Sequence, residues 1–175
     1  MLDNAGGSHR LVIAADPDWL PADRDAFIVA LTERGLFGSH WRDGRYRVGR
    51  RFMQEIVFVG CSPFLRVEPR DDLDFCHLQL SLAATPRFVR SAEAGVPRCP
   101  DCGQPLTSTA EPLYCDHCQR PLHPAQCRWR RGRTIWSRCW ISVWTLQKGD
   151  AWPAEPLLAF LQRQSEGRPW KTAFL

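Results

Sequence analysis

Four cysteines stand in two short turns near the middle of the chain. The first turn, CPDC, runs from Cys99 to Cys102, and the second, CDHC, runs from Cys115 to Cys118. A Cys-x-x-Cys turn directs two sulfurs at one point. Two such turns that face each other offer four thiolates in a tetrahedron, the coordination that a structural Zn²⁺ prefers. Cys99, Cys102, Cys115 and Cys118 are therefore the predicted metal ligands.

The sequence around these turns repeats itself and resembles a zinc ribbon. Each Cys-x-x-Cys is followed, after two residues, by Pro-Leu, giving CPDCGQPL and CDHCQRPL. Twelve residues separate Cys102 from Cys115, which is enough for a small hairpin. The resemblance covers residues 98–122 and implies a structural zinc ion, with Gly103 at a positive φ in the first turn. Gln119 occupies the matching position in the second turn, which departs from the ribbon pattern.

Other chemistry is open to the same four sulfurs. Rubredoxin-like iron also uses paired Cys-x-x-Cys turns, and a disulfide or a redox-active thiol pair is a further reading. The disulfide and redox interpretations are less favoured, because two paired turns account for all four sulfurs at once. Four thiolates leave no position for water or substrate, so the predicted zinc is structural. His117, His123 and Cys127 lie nearby and are candidates for a replacement ligand or a second site, although we expect His117 to point outward.

The composition indicates a soluble globular protein. The chain is 44% hydrophobic and 24% charged, and its net charge of +4 is too small to indicate nucleic-acid binding by itself. No apolar run approaches the roughly 20 residues that a membrane helix needs. Eight cysteines without an N-terminal secretory signal predict a reducing, cytoplasmic location.

The pattern of apolar residues predicts an α+β fold. Two similar stretches, DWLPAD and DAWPAE, each precede a predicted helix, and each follows a predicted strand. We predict an antiparallel sheet with two helices on one face, in ferredoxin-like order. Residues 1–97 and 128–175 would form this domain, with residues 98–127 as an inserted zinc ribbon. The predicted strands are 9–15, 52–59, 75–83, 134–146 and 169–175, the predicted helices 21–35 and 156–165, and residues 38–49 a polar loop.

The strand at 134–146 would place three tryptophans on one face. Ile135, Ser137, Cys139, Ile141, Val143 and Thr145 would share one face, and Trp136, Arg138, Trp140, Ser142, Trp144 and Leu146 the other. If the tryptophan face stays partly exposed, Trp140 and Trp144 are candidates for docking a partner protein, because tryptophan and arginine dominate interface hot spots.

Two arginine-rich stretches with aromatic neighbours favour an alternative, binding to nucleic acid. Arginine contacts phosphates, and aromatic rings stack on unpaired bases. The simpler alternative is that these arginines solvate loops without forming one patch. The candidate residues are Arg42, Arg45, Arg47, Arg50 and Arg51 in the first stretch, and Arg128, Arg130, Arg131 and Arg133 in the second.

Local signatures of catalysis are weak. The sequence contains no nucleophile elbow, phosphate-binding loop, dinucleotide fingerprint or His-Glu-x-x-His helix. Cys76 and His77 are neighbours on a predicted strand, so they point to opposite faces and cannot form a dyad, and we expect one to be buried and one exposed. Cys61 is best read as buried, and Asp71, Asp72 and Asp74 as a solvated acidic turn. The predicted function is therefore a non-enzymatic protein with structural zinc that binds a protein partner.

Overall fold

The computed structural model of the chain describes residues 10–58, 65–69, 75–91, 94–106, 113–129, 134–146 and 151–175. Cys61, the acidic turn with Asp71, Asp72 and Asp74, and Arg130, Arg131 and Arg133 lie outside these residues. The strands are β1 (Arg10–Ala15), β2 (Phe37–His40), β3 (Arg45–Val48), β4 (Ile56–Phe58), β5 (His77–Arg90), β6 (Leu113–Cys115), β7 (Arg120–Leu122), β8 (Thr134–Trp144), β9 (Ala151–Pro153) and β10 (Trp170–Phe174). The helices are α1 (Arg24–Glu33), α2 (Phe52–Glu55) and α3 (Glu155–Gln164).

The main sheet confirms the predicted antiparallel α+β fold. Its strand order is β10-β1-β8-β5-β3-β2, and each neighbouring pair is antiparallel. Helix α1 lies between β1 and β5 in the chain, and α3 lies between β8 and β10. These elements follow the predicted β-α-β-β-α-β order, with β2, β3, α2 and β4 added between α1 and β5. None of the described helices is long and apolar enough to cross a membrane.

The two long helices cover the same face of the sheet. Helix α1 begins after Asp23, whose carboxylate accepts hydrogen bonds from the backbone N–H groups of Asp25 and Ala26 at 2.8 and 3.0 Å. The buried residues Phe27 and Leu31 of α1 belong to one apolar cluster with Leu157 and Leu161 of α3. The sheet contributes to this cluster Leu11, Ile13, Leu78, Leu80, Cys139, Ile141 and Val143.

The side of the sheet opposite the two long helices has a different composition. We call it the open face, because these helices do not cover it, although many of its residues are buried. Strand alternation and register place there Arg10, Val12, Ala14, Arg45, Arg47, His77, Gln79, Ser81, Trp140, Ser142, Trp144, Lys171 and Ala173. Trp140 and Trp144 are each only 7% exposed. Trp140 and Trp144 therefore do not meet the condition of partial exposure on which their docking role depends, because Trp140 joins an apolar cluster and the Arg10 guanidinium carbon lies 4.5 Å from the Trp144 ring centroid.

Two predictions between residues 38 and 59 are corrected. The predicted loop at 38–49 contains a hairpin, β2–β3, which joins the main sheet because β3 pairs with β5. The predicted strand at 52–59 is described as far as residue 58; it begins as helix α2, and within these residues only β4 is extended, pairing with β9. The turn at α2 brings the buried Glu55 carboxylate to Arg34 and Arg51, at nitrogen–oxygen distances of 3.0 and 3.3 Å.

The predicted alternation of β8 holds from Cys139 to Trp144 and fails at both ends. Ile135 joins the cluster of Trp140 on the opposite face. The side chain of Ser137 interrupts the pattern, because its hydroxyl donates to the Ala15 carbonyl at 2.8 Å and accepts from the Cys139 N–H at 3.2 Å. Beyond the strand, Thr145 has φ +61°, and Leu146 turns back to the helix-covered face.

Gly49 provides a test of how closely the chain before β2 approaches the chain after β3, at the base of the β2–β3 hairpin. A Cβ at Gly49 would lie 2.2 Å from the Gly35 carbonyl oxygen, so the backbone would have to move. We expect Gly49→Ala to lower the free energy of unfolding by about 3 kcal/mol, measured by urea denaturation. Gly44→Ala is the control: its φ is +70° but nothing lies within 4 Å, so the cost should be about 1 kcal/mol. Equal losses in the two variants would contradict the close approach.

Candidate metal centre

The four predicted ligands come together at one point. Each of Cys99, Cys102, Cys115 and Cys118 offers a sulfur, and these four atoms all lie within 4.8 Å of one another. The Sγ atoms of Cys99 and Cys118 are 3.9 Å apart, and those of Cys102 and Cys115 are 3.6 Å apart. A tetrahedral site with metal–sulfur bonds of 2.3 Å requires sulfurs about 3.8 Å apart, so the group fits a tetrathiolate metal centre.

The two turns are held by similar backbone geometry. Gly103 has φ +72° and donates its N–H to the Cys99 carbonyl at 3.0 Å, as predicted for the first turn. Gln119 adopts φ +53°, so the second turn follows the same path without a glycine. Its side chain supplies compensating contacts, since its amide nitrogen donates to the Asp116 carbonyl and its amide oxygen accepts from the Tyr114 hydroxyl at 3.4 Å.

A small apolar core surrounds the sulfurs and explains the repeated Pro-Leu. Leu106 and Leu122, the leucines of the two repeats, are buried together with Leu113 of β6. Strands β6 and β7 form a hairpin that carries the second turn. The repeat thus contains both the candidate ligands and two of the leucines that pack around them. Leu113 packs in the same cluster, but it belongs to no repeated motif that could have predicted this contact.

The electrostatics of the group favour a bound cation. The backbone N–H of Cys102, followed by that of Asp101, donates to the Cys99 sulfur and lowers the pKa of that thiol to about 7, against the opposing effect of burial. The neighbouring Cys102 sulfur, followed by burial, raises the pKa of Cys118 to about 12. Four thiolates in one place repel one another, and a divalent cation removes that repulsion.

Arginines bind the outside of the same turns. Arg98 donates to the Gly103 carbonyl at 3.1 Å, and Arg128 donates to the Pro100 carbonyl at 2.9 Å. Arg120 forms an ion pair with Asp101. A tetrathiolate that holds a divalent cation keeps a net charge of about −2, which these guanidinium groups partly offset.

The three neighbouring candidate ligands lie outside the group of four sulfurs. Cys127 is buried, its thiol donates to the His123 carbonyl at 3.6 Å, and burial, followed by the charges of Cys99 and Cys115, raises its pKa. His123 uses its Nδ1 to accept from the Ala125 N–H at 3.2 Å. His117 is exposed, as expected.

Aromatic contacts join this segment to the far end of the β5–β8 pair. The ring centroid of Trp129 lies 4.5 Å from that of Phe88, and the His123 ring lies 4.5 Å from that of Trp136. The Trp129 indole N–H donates to the Pro124 carbonyl at 2.8 Å. The division into an inserted segment at 98–127 and one surrounding domain stays a prediction.

The described arginines that were proposed for nucleic-acid binding lie in several different parts of the fold. Arg45 and Arg47 lie on the open face, whereas Arg51 contacts Glu55. The Arg42 guanidinium carbon lies 4.0 Å from the Trp41 ring centroid, and Arg50 is exposed. Arg128 contacts the cysteine segment, as described above.

Cys76 and His77 are both buried, which corrects the expectation that one of them is exposed. Cys76 belongs to the helix-covered core, and burial raises the pKa of its thiol to about 12. The His77 ring lies on the open face beside Trp144, with ring centroids 6.1 Å apart. The two side chains therefore point to opposite faces, as predicted, and form no dyad.

Searches against protein-family models, curated proteins and solved structures found no match to this chain.

Substitution of single cysteines tests the metal centre. We expect Cys99→Ser and Cys115→Ser to lose the metal, because each removes one of four thiolates and opens the site to water. The measurement is metal content and identity by plasma mass spectrometry of gel-filtered protein. Cys127→Ala is the matched control: it removes a buried sulfur of the same segment that is not among the four, so its metal content should equal that of the wild type. Full retention in both serine variants would place the ligands elsewhere.

Proposed function

We propose that this chain is a non-enzymatic zinc-binding protein that acts as a protein–protein interaction module. The observation that carries the proposal is the group of four cysteine sulfurs within 4.8 Å of one another. A tetrathiolate centre is closed, so its zinc ion stabilises the fold and takes no substrate. A reducing compartment such as the cytoplasm would keep these thiols available for the metal.

Two buried cysteines of the helix-covered core, Cys76 and Cys139, support a role without covalent chemistry. Burial raises the pKa values of Cys76 and Cys139 to about 12 each. Both side chains lie in the helix-covered core, so they remain protonated and shielded from solvent near neutral pH. Among the described residues, these two thiols act as small apolar groups.

An exposed apolar patch beside the main sheet supports protein binding. Met53 of α2, Val57 of β4 and Trp152 of β9 are 55%, 39% and 46% exposed. Val57 and Trp152 are paired residues on neighbouring strands, so their side chains lie on the same face. Methionine and tryptophan are enriched in interfaces, and tryptophan is frequent among hot spots. We call the paired Val57 and Trp152, together with the exposed Met53 of the preceding helix, the β4–β9 patch, and we propose for it the docking role first considered for Trp140 and Trp144.

The β4–β9 patch is built on a fixed support. The Glu55 carboxylate, at the end of α2, accepts from Arg34 and Arg51. The Glu55 carbonyl accepts from the Ala154 N–H at 2.8 Å, which ties α2 to the residue after β9. A surface held in place before binding loses less conformational entropy when a partner docks.

Substitution of Trp152 tests this function. We expect Trp152→Ala to lower the capture of partner proteins from a lysate at least about tenfold, as hot-spot truncations do, with unchanged zinc content and thermal stability. Quantitative mass spectrometry of proteins retained by tagged full-length protein is the measurement.

Val29→Ser is the matched surface control, because Val29 is 54% exposed and belongs to α1, an element that does not contribute to the β4–β9 patch. Its set of captured proteins should equal that of the wild type. Trp144→Ala, in contrast, should lose stability, because Trp144 is buried and donates to Gln79 at 3.2 Å. A Trp152→Ala protein that captures the same partners in the same amounts would contradict the proposal.

A further inference from the structure

The open face of the sheet is positively charged. Its strand residues include Arg10, Arg45, Arg47 and Lys171, and none of the described strand residues on this face is aspartate or glutamate. Asp43, in the β2–β3 turn, has a carboxylate oxygen 3.5 Å from an Arg45 Nη atom, but its side chain is 72% exposed. Such an exposed ion pair offsets little of the charge.

Two rows of paired residues cross four strands of this face. One row consists of Arg47, His77, Trp144 and Arg10, and the next of Arg45, Gln79, Ser142 and Val12. Directly opposed residues on antiparallel strands have Cβ atoms about 5 Å apart, so the side chains of each row lie against one another. Arg45 and Ser142 flank Gln79 in the second row.

The second row contains two buried polar groups without partners. The Ser142 hydroxyl has no hydrogen-bond partner, although the residue is only 1% exposed. The Arg45 Nε is also buried without a hydrogen-bond partner. The amide oxygen of Gln79, the neighbouring residue, accepts a hydrogen bond from the Trp144 indole N–H at 3.2 Å and makes none with the Ser142 hydroxyl. Buried polar groups in proteins are normally hydrogen-bonded, so these two donors indicate an acceptor that the described part of the chain does not supply.

His77 does not contribute to the positive charge of the open face. Its Nδ1 lies 2.8 Å from the Phe75 carbonyl oxygen, which only accepts, so Nδ1 carries the proton and donates. Burial, followed by the nearby charge of Arg45, lowers the pKa of His77, so the ring is neutral near pH 7.

We propose that the open face binds a small oxyanion, a phosphate or carboxylate group held between the Arg45 guanidinium and the Ser142 hydroxyl. Both groups donate hydrogen bonds, and a guanidinium pairs with either oxyanion. The site is separate from the β4–β9 patch and does not rest on the proposed protein binding.

The aromatic residues of the face favour a small anion over single-stranded nucleic acid. Base recognition on a sheet requires accessible rings on which bases stack. Trp140 and Trp144 are each 7% exposed, and Arg10 already lies over the Trp144 ring. In the second row, the Arg45 side chain is 20% exposed and is the group that a small ion in solution can reach, whereas Ser142 is buried behind it.

The site is tested by isothermal titration calorimetry of the full-length, zinc-loaded protein. Inorganic phosphate and malonate are titrated separately, and the ionic strength is held constant with chloride. We expect saturable binding of at least one anion, which shows whether phosphate or carboxylate is preferred. Arg45→Gln should weaken binding at least tenfold. Arg24→Gln removes the same charge from exposed α1 and should bind as the wild type does.

Ser142→Ala separates a binding role from a structural one. Loss of a hydroxyl without a partner should leave the melting temperature of the ligand-free protein equal or higher, yet weaken anion binding several-fold. Because Trp140 and Trp144 flank Ser142 on β8, bound anion should also change tryptophan fluorescence in the wild type and less in this variant.

Three results would overturn the proposal. One is no saturable binding of either anion to the wild type, and another is equal weakening by Arg24→Gln and Arg45→Gln. The third is unchanged binding in Ser142→Ala and in a folded Arg45→Gln protein, with fold checked by circular dichroism. If Arg45→Gln does not fold, unchanged binding in Ser142→Ala decides against the site. An oligonucleotide that binds when neither anion does would assign the face to nucleic acid instead.

Discussion

The pairing of β5 with β8 is the constraint on which the rest of the structure depends. Near its base, Leu78 pairs with Val143 and Leu80 with Ile141, which places apolar side chains under α1 and α3. The same pairing sets His77 and Gln79 beside Trp144 and Ser142 on the open face. At its far end, Phe88 pairs with Trp136, and there the two strands meet the cysteine segment. This one pair of strands therefore positions the core, the open face and the candidate metal centre.

The chain uses two different sources of stability. The sheet and helices bury a large apolar cluster, as expected for a domain of this size. The cysteine segment has only a small cluster of its own, formed by three leucines and three cysteines, with partly buried neighbours. Short segments of this kind gain their folding free energy from a bound metal, and a metal held by these four cysteines would also neutralise the repulsion among their thiolates. Loss of that metal would therefore destabilise the cysteine segment far more than the sheet.

The sequence allowed prediction wherever a pattern is local. Cysteine spacing identifies the four sulfurs, and periodicity identifies α1, α3, β1 and β8. Helix α2 depends on a buried ion pair between Glu55 and Arg34, 21 residues apart, which no window of sequence displays. The β2–β3 hairpin was hidden because arginines alternate with Tyr46 and Val48, and arginine usually indicates a loop. Burial of Trp144 depends on Arg10, which pairing across strands brings over its ring. Contacts between residues far apart in the sequence therefore determine helix α2, the β2–β3 hairpin and the burial of Trp144.

The irregularity within the β5–β8 pair has a further consequence. Leu82 pairs with Cys139, but the next pair is Arg87 with Ser137, so β5 carries extra residues at this point. Extra residues in one strand bend a hairpin and increase its twist. The bend therefore sets the direction of the far end of the strand pair relative to the part that packs under α1 and α3. One apolar cluster spans the bend, since it contains Trp140 and Ile135 of β8 from either side of the irregularity, together with Ala83 and Val89 of β5. A change in the number of residues at the bend would therefore alter both the direction of that end and the packing of this cluster.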